Sequence, residues 1–152
     1  MGARVEWHII WGVNQCMSQE RGQRVTERAG QRILIVEDDE LFRKSLATLV
    51  ASQGYVVILC ASAEEALDRH DLEAVDLCMV DYQLPGMSGV EFLEALRRRG
   101  LRIPVLLMSG YLNQAIRSEA VREGVLEVLH KPMDMALLVQ RLERLLDSLA
   151  TA

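Results

Sequence analysis

Five short apolar runs, RILIV (32–36), YVVILC (55–60), VDLCMV (75–80), IPVLLM (103–108) and VLEVLH (125–130), recur along the chain, and each is followed by a longer amphipathic stretch. Several of the runs are continuously apolar instead of alternating, so neither face of such a segment suits water; strands of a parallel sheet covered on both sides have this property. Strict strand–helix alternation calls for right-handed crossovers and helices on both faces of the sheet. The expected class is α/β, a doubly wound five-stranded parallel sheet with five helices. Periodicity carries no strand order. It does say where to look for chemistry, because ligands of open parallel sheets sit outside the carboxyl ends of the strands.

The intervening stretches read as helices with defined ends. LFRKSLATLVASQG (41–54) places Leu41, Ser45, Leu46, Leu49 and Val50 near one face and stops at Gly54. SAEEALDRH (62–70) opens with Ser62 three positions before Glu65, the pattern of a capping box. SGVEFLEALRRRG runs from Ser88 to Gly100, NQAIRSEAVREG from Asn113 to Gly124, and MDMALLVQRLERLLDSL (133–149) closes the series. In the last, Leu138, Leu142, Leu145 and Leu149 form a stripe suited to core packing. Residues 1–30 have no such period, and QERGQRVTERAG (19–30) is polar, so they are expected to form a flexible N-terminal extension to a domain spanning 31–150. Trp7, Ile9, Ile10 and Trp11 are its apolar exception, and Met17 is an alternative start.

Half of the 152 residues are hydrophobic, enough for one domain with a substantial core. A net charge of −5 argues against nucleic acid or an anionic membrane as the partner of this domain. The run Arg97–Arg99 ends a helix, where cations complement the dipole. Cys16, Cys60 and Cys78 are odd in number and lack CxxC spacing, which fits reduced thiols. No apolar segment approaches a membrane span and no secretory signal is evident, so a cytoplasmic location is expected. His70, His130 and the methionines at 79, 108, 133 and 135 read as ordinary structural residues.

The strand ends are unusual. The first apolar run leads into Glu37, Asp38, Asp39 and Glu40; the third ends at Asp81, the fourth at Ser109 and Gly110, and the fifth at Lys131 and Pro132. A parallel sheet brings these ends to one rim. Carboxylates crowded there push one another toward the neutral form, and a divalent cation relieves that repulsion. Hard carboxylate oxygens suit magnesium, which keeps several waters. Asp39 and Glu40 read differently, as the N-cap and first turn of the following helix.

ILIVEDDE (33–40), VDYQLPGMSGVEFL (80–93), LLMSG (106–110) and HKP (130–132), in this order and spacing, resemble the response regulator receiver domain, the phosphoacceptor of two-component signalling, over Gln31–Leu149. The resemblance implies a flavodoxin-like sheet of order 2-1-3-4-5. It implies that Asp81 is phosphorylated and that Mg2+ is bound by Asp38, Asp81 and the backbone carbonyl of Gln83, with Glu37 in the acidic pocket through water. It further implies that Ser109 and Lys131 contact the phosphoryl group and that Lys131–Pro132 is cis. The implied partners are a histidine kinase or histidine phosphotransfer protein, met near Phe42, Ser45 and Leu46. A second copy is implied through the fourth helix, fifth strand and fifth helix, with no nucleic acid and no membrane.

One departure stands out: Val128 occupies a position where relatives carry a switch aromatic. Tyr111, or a shift of the fourth helix, is the expected replacement. Such a domain is not an ordinary enzyme, although it catalyses its own phosphorylation and dephosphorylation. Two alternatives are a phosphorylation-independent interaction module and an aspartyl-phosphate hydrolase. The hydrolase needs a second acid where Gln83 stands, and the module would lack one of Asp81, Asp38 or Lys131. No output module follows Leu149, so the expectation is a stand-alone receiver or part of a longer regulator.

Overall fold

Each apolar run contributes one strand to a single parallel sheet in the computed structural model, which describes residues 30–151. The elements are β1 (Arg32–Val36), α1 (Glu40–Ser52), β2 (Val56–Cys60), α2 (Ala63–Leu67), β3 (Leu77–Asp81), α3 (Gly89–Arg98), β4 (Val105–Ser109), α4 (Gln114–Arg122), β5 (Glu127–His130) and α5 (Met135–Ala150). The readings of residues 1–29, including the extension, Cys16, Met17 and the Trp7–Trp11 cluster, lie outside the described residues. Strand order is β2-β1-β3-β4-β5, as the resemblance implied. All four pairings are parallel.

Side chains alternate across the sheet and divide the core in two. Leu34, Val36, Cys78, Val80 and Leu107 face α2, α3 and α4, packing on Ala66, Phe92, Leu93, Leu96 and Ala120. Ile33, Ile35, Met79, Leu106 and Met108 face α1 and α5, packing on Leu46, Val50, Leu138, Leu142 and Leu146. β1, β3 and β4 are covered on both sides, which is why their sequences are apolar without alternation. β2 lies at the edge and leaves Val56 and Leu59 exposed.

Three strands begin two residues later than their apolar runs. Val75 and Ile103 are buried but outside the ladder. Pro104 has no N–H to give, and its carbonyl instead accepts from Cys78 at 2.9 Å, so the ladder starts one residue on. At the starts of β3 and β4, apolarity marks burial and not pairing.

The helix starts match their capping residues. Asp39, Ser62, Ser88, Asn113 and Asp134 each accept a backbone N–H from the first turn. Ser88 and Glu91 form a reciprocal capping box. Two helical expectations need correction. Leu41 is 80% exposed and Ser45 is also exposed, because Leu41 lies about 140° around the helix from Leu46. Phe42, four residues before Leu46, packs on the core instead. The SAEEALDRH stretch stays helical only to Leu67, and a 3-10 turn follows at Leu72–Ala74. In α5 the fully buried stripe is Leu138, Leu142 and Leu146, with Leu145 and Leu149 half-buried beside it.

No helix among the described residues is long and apolar enough to cross a membrane. Cys60 and Cys78 are free and buried. Burial pushes the Cys60 thiol up to about 11 and the Cys78 thiol further, which removes the nucleophilic thiolate at neutral pH. Iodoacetamide treatment of the native protein followed by peptide mapping is therefore expected to leave both unmodified, and the same treatment in denaturant to label both. Labelling of either under native conditions would contradict the packing described.

Candidate functional site

Register brings the candidate residues to one level. Val36 pairs with Val80 across β1 and β3, Asp81 with Met108 across β3 and β4, and Ser109 with His130 across β4 and β5. The ladder continues just past the strands: the Glu37 N–H donates to the Cys60 carbonyl at 3.1 Å, that of Tyr82 to Met108 at 2.7 Å and that of Lys131 to Ser109 at 2.7 Å. Glu37, Asp81, Ser109 and Lys131 consequently meet on one rim. Glu37, Asp81 and Ser109 are the only buried polar or charged residues among the described residues, with exposures of 1%, 6% and 0%. Burial of this kind is costly unless partners are supplied.

Lys131 supplies them. Its Nζ donates to Glu37 Oε2 at 2.6 Å and to Asp81 Oδ2 at 3.0 Å, and lies 4.6 Å from the centre of the Phe42 ring. The other carboxylate oxygens take backbone donors: Gln83 N–H reaches Asp81 Oδ1 at 3.0 Å, and Asp39 N–H reaches Glu37 Oε1 at 3.2 Å. Burial raises the pKa of Glu37, the Asp81 charge adds to that, and the Lys131 hydrogen bond opposes both without cancelling them. For Lys131 burial works downward, but its hydrogen bonds to Glu37 and Asp81 outweigh it and the pKa rises. Asp38 completes the cluster from an exposed position: Glu37, Asp38 and Asp81 each offer one oxygen within 4.8 Å of the others. Three carboxylates face one ammonium. Hard oxygens, an unmatched negative charge and an open side to water form the donor set that magnesium takes.

Ser109 points its hydroxyl at its own loop, donating to the Tyr111 carbonyl at 2.5 Å and accepting the Tyr111 N–H at 3.2 Å. The Tyr111 side chain is 62% exposed. The Lys131–Pro132 bond is cis. Asp39 caps α1 by accepting Phe42 N–H at 2.7 Å, and Glu40 pairs with Lys44 on the exposed face, so both stand apart from the acidic cluster.

Three contacts had no signal in the sequence. Arg43 Nη1 donates to the Glu37 carbonyl at 2.7 Å, bracing the acidic loop from the second turn of α1. Glu64 Oε1 accepts the Met87 N–H at 2.9 Å, holding the turn in which Gly86 adopts a φ of 78°. Tyr82 donates its hydroxyl to Glu119 Oε2 of α4 at 3.0 Å. Each joins residues from different elements, and a hydrophobic pattern does not encode such pairs. The Phe42 ring is likewise close to Lys131 only because α1 crosses above the rim.

Comparison with known proteins gives a consistent picture. Residues 33–143 match the family described as Response regulator receiver domain. The chain is 39% identical over 104 residues to the Regulator of RpoS of Escherichia coli K12, covering 68% of this chain and 31% of that protein. It is 36% identical over 115 residues to the two-component response regulator PhoP of Pseudomonas aeruginosa, covering 76% and 51% respectively. The matched part is thus about a third to a half of these relatives. In structure it is similar to a response regulator receiver domain protein from Methanospirillum hungatei, with a TM-score of 0.70, 28% identity, and coverage of 78% of this chain and 94% of that one.

Proposed function

Because the chain belongs to the response regulator receiver domain family, we propose that Asp81 accepts a phosphoryl group from the phosphohistidine of a histidine kinase or histidine phosphotransfer protein. The observation that carries this reading is the buried cluster in which Lys131 bridges Glu37 and Asp81 at the strand ends. In the transfer, an Asp81 carboxylate oxygen forms a bond to phosphorus as the phosphorus–nitrogen bond to the donor imidazole breaks. Little covalent assistance is needed, since phosphoryl transfer depends mainly on alignment and charge stabilisation.

Asp38, Asp81 and the Gln83 carbonyl would hold Mg2+, with Glu37 reaching it through water. When bound, the ion supplies positive charge to the phosphoryl oxygens. Lys131 shifts from the Asp81 carboxylate to a phosphoryl oxygen, and Ser109 turns its hydroxyl from the Tyr111 carbonyl to another. The new group brings roughly two negative charges, enough to draw the Ser109–Tyr111 loop inward. Tyr111 travels with that loop and is the switch aromatic of this reading. The face made by α4, β5 and α5 changes in consequence and serves targets or a second copy. The reaction is self-modification in the cytoplasm, with no direct nucleic-acid contact by this domain.

Incubation with magnesium and acetyl phosphate, followed by intact mass measurement, tests this. One phosphoryl adduct that disappears with EDTA is expected. Folded protein without an adduct points to a phosphorylation-independent module, and turnover of unrelated phosphate esters points to a hydrolase. Magnesium binding separates the acids. Calorimetric titration of Asp38→Ala should show a loss of at least the roughly 10–100-fold that removing a mere supporting partner costs a metal site. Glu40→Ala, which loses only an exposed pair with Lys44, should bind as wild type does. Equal effects from the two would move the metal away from the proposed cluster.

A further inference from the structure

α4 is lightly anchored. Its buried residues are Ile116 and Ala120 alone, and Val121 is 76% exposed. Beneath it lies a groove of about 490 Å3 lined in part by Val121, Val125, Val128 and Leu137. Val128 is too small to fill that space. Among the described residues, one side-chain hydrogen bond joins α4 to another part of the fold: the Tyr82 hydroxyl to Glu119 Oε2, 3.0 Å.

Tyr82 follows Asp81 directly, and its backbone is pinned at both polar groups. Its N–H donates to the Met108 carbonyl at 2.7 Å, and its carbonyl accepts the Gly89 N–H at 3.1 Å. The next residue, Gln83, is tied through its own N–H to Asp81 Oδ1 at 3.0 Å. The ring is therefore an arm rooted in the candidate site with its tip on α4.

We infer that Tyr82 is a positioning residue, whose hydroxyl latches α4 while Asp81 is unmodified and lets go when Asp81 is phosphorylated. This rests on the reading of Asp81 as phosphoacceptor. Both Asp81 oxygens are engaged, one by Gln83 N–H and one by Lys131. Bond formation to phosphorus at either one leaves that contact without its charged acceptor, while Met108 and Gly89 still hold the Tyr82 backbone in place. At the same time, Ser109 draws in the loop that leads to Asn113, the N-cap of α4. The helix is then pulled at its start while held six residues later at Glu119, and the latch is the side-chain hydrogen bond that opposes the movement, beside the packing of Ile116 and Ala120.

Hydrogen–deuterium exchange of the α4 amides, read by mass spectrometry with and without magnesium and acetyl phosphate, tests the latch in wild type, Tyr82→Phe, Glu119→Ala and the double variant. In wild type the adduct should raise α4 exchange about tenfold, on the scale of losing a hydrogen bond to a charged group. Each single variant should show that higher exchange before phosphorylation, and the double variant no more than either. By linkage, an α4 already released should also raise the equilibrium ratio of phosphorylated to unmodified Asp81 several-fold at limiting acetyl phosphate. The latch is overturned if Tyr82→Phe keeps wild-type exchange and the full phosphorylation-dependent rise, or if the single effects add. An adduct that leaves wild-type α4 exchange unchanged overturns it as well. Absence of any adduct on folded wild type overturns the phosphoacceptor reading and the latch together, whereas an adduct with Tyr82-independent exchange removes the latch alone.

Discussion

Asp81→Asn is expected to lose the phosphoryl adduct completely while leaving the fold intact. The substitution keeps the shape of the side chain and an acceptor for the Gln83 N–H, which reaches Asp81 Oδ1 at 3.0 Å. It removes the anionic oxygen that attacks phosphorus in the proposed transfer, and a neutral amide does not replace it. Lys131 keeps its shorter contact, 2.6 Å to Glu37. Because Asp81 also raises the Glu37 pKa, its neutralisation relieves repulsion between buried acids, and the melting temperature should hold or rise. Intact mass after acetyl phosphate treatment and a thermal melt read the two halves of the expectation. An adduct of undiminished yield would mean that another side chain is the acceptor; a strongly lowered melting temperature would mean that Asp81 is structural first.

Gly89→Ala should damage fold and site together. A Cβ at position 89 would lie 2.4 Å from the carbonyl oxygen of Asp81 and 3.0 Å from Leu107 Cδ2. The first of these is backbone, so it cannot swing aside. Either α3 lifts from the sheet, opening the packing of Val90, Phe92 and Leu93, or the Asp81 peptide moves. The cost belongs at the upper end of the roughly 1–3 kcal/mol typical of overpacking, a drop of several degrees in melting temperature. The rate of adduct formation should fall with it, since the displaced oxygen belongs to the proposed acceptor residue itself. Gly110→Ala, where a Cβ meets nothing within 4 Å, is the control and should melt as wild type. Equal stability of the two variants would show that the close approach at Gly89 is relaxed at little cost.

Much of the site was legible because it depends on chain direction. Once β1, β3, β4 and β5 run parallel, residues that follow them must reach the same rim, and Glu37, Asp38, Asp81, Ser109 and Lys131 are adjacent to strand ends in sequence. Helix caps were legible for a similar reason, since Asp39, Ser88 and Asn113 act on backbone groups two or three residues away. Leu41 was misread because a short apolar count does not fix the phase of a helix; the exposed side of α1 shows only once Leu46 and Val50 are seated against the sheet. The late starts of β3 and β4 were hidden because Val75 and Ile103 are buried without being paired.

By itself, then, the sequence determined the class of fold and the position of its candidate rim, because both follow from local periodicity and from what stands at the end of each apolar run. Only the tertiary structure decided which groups neutralise one another there. Lys131 meets Glu37 across 94 residues of chain and Asp81 across 50, and Tyr82 meets Glu119 across 37. Such pairings depend on how far each strand advances in register and how each helix crosses the sheet, and distances of a few ångströms between charges decide whether they repel, pair or wait for a cation.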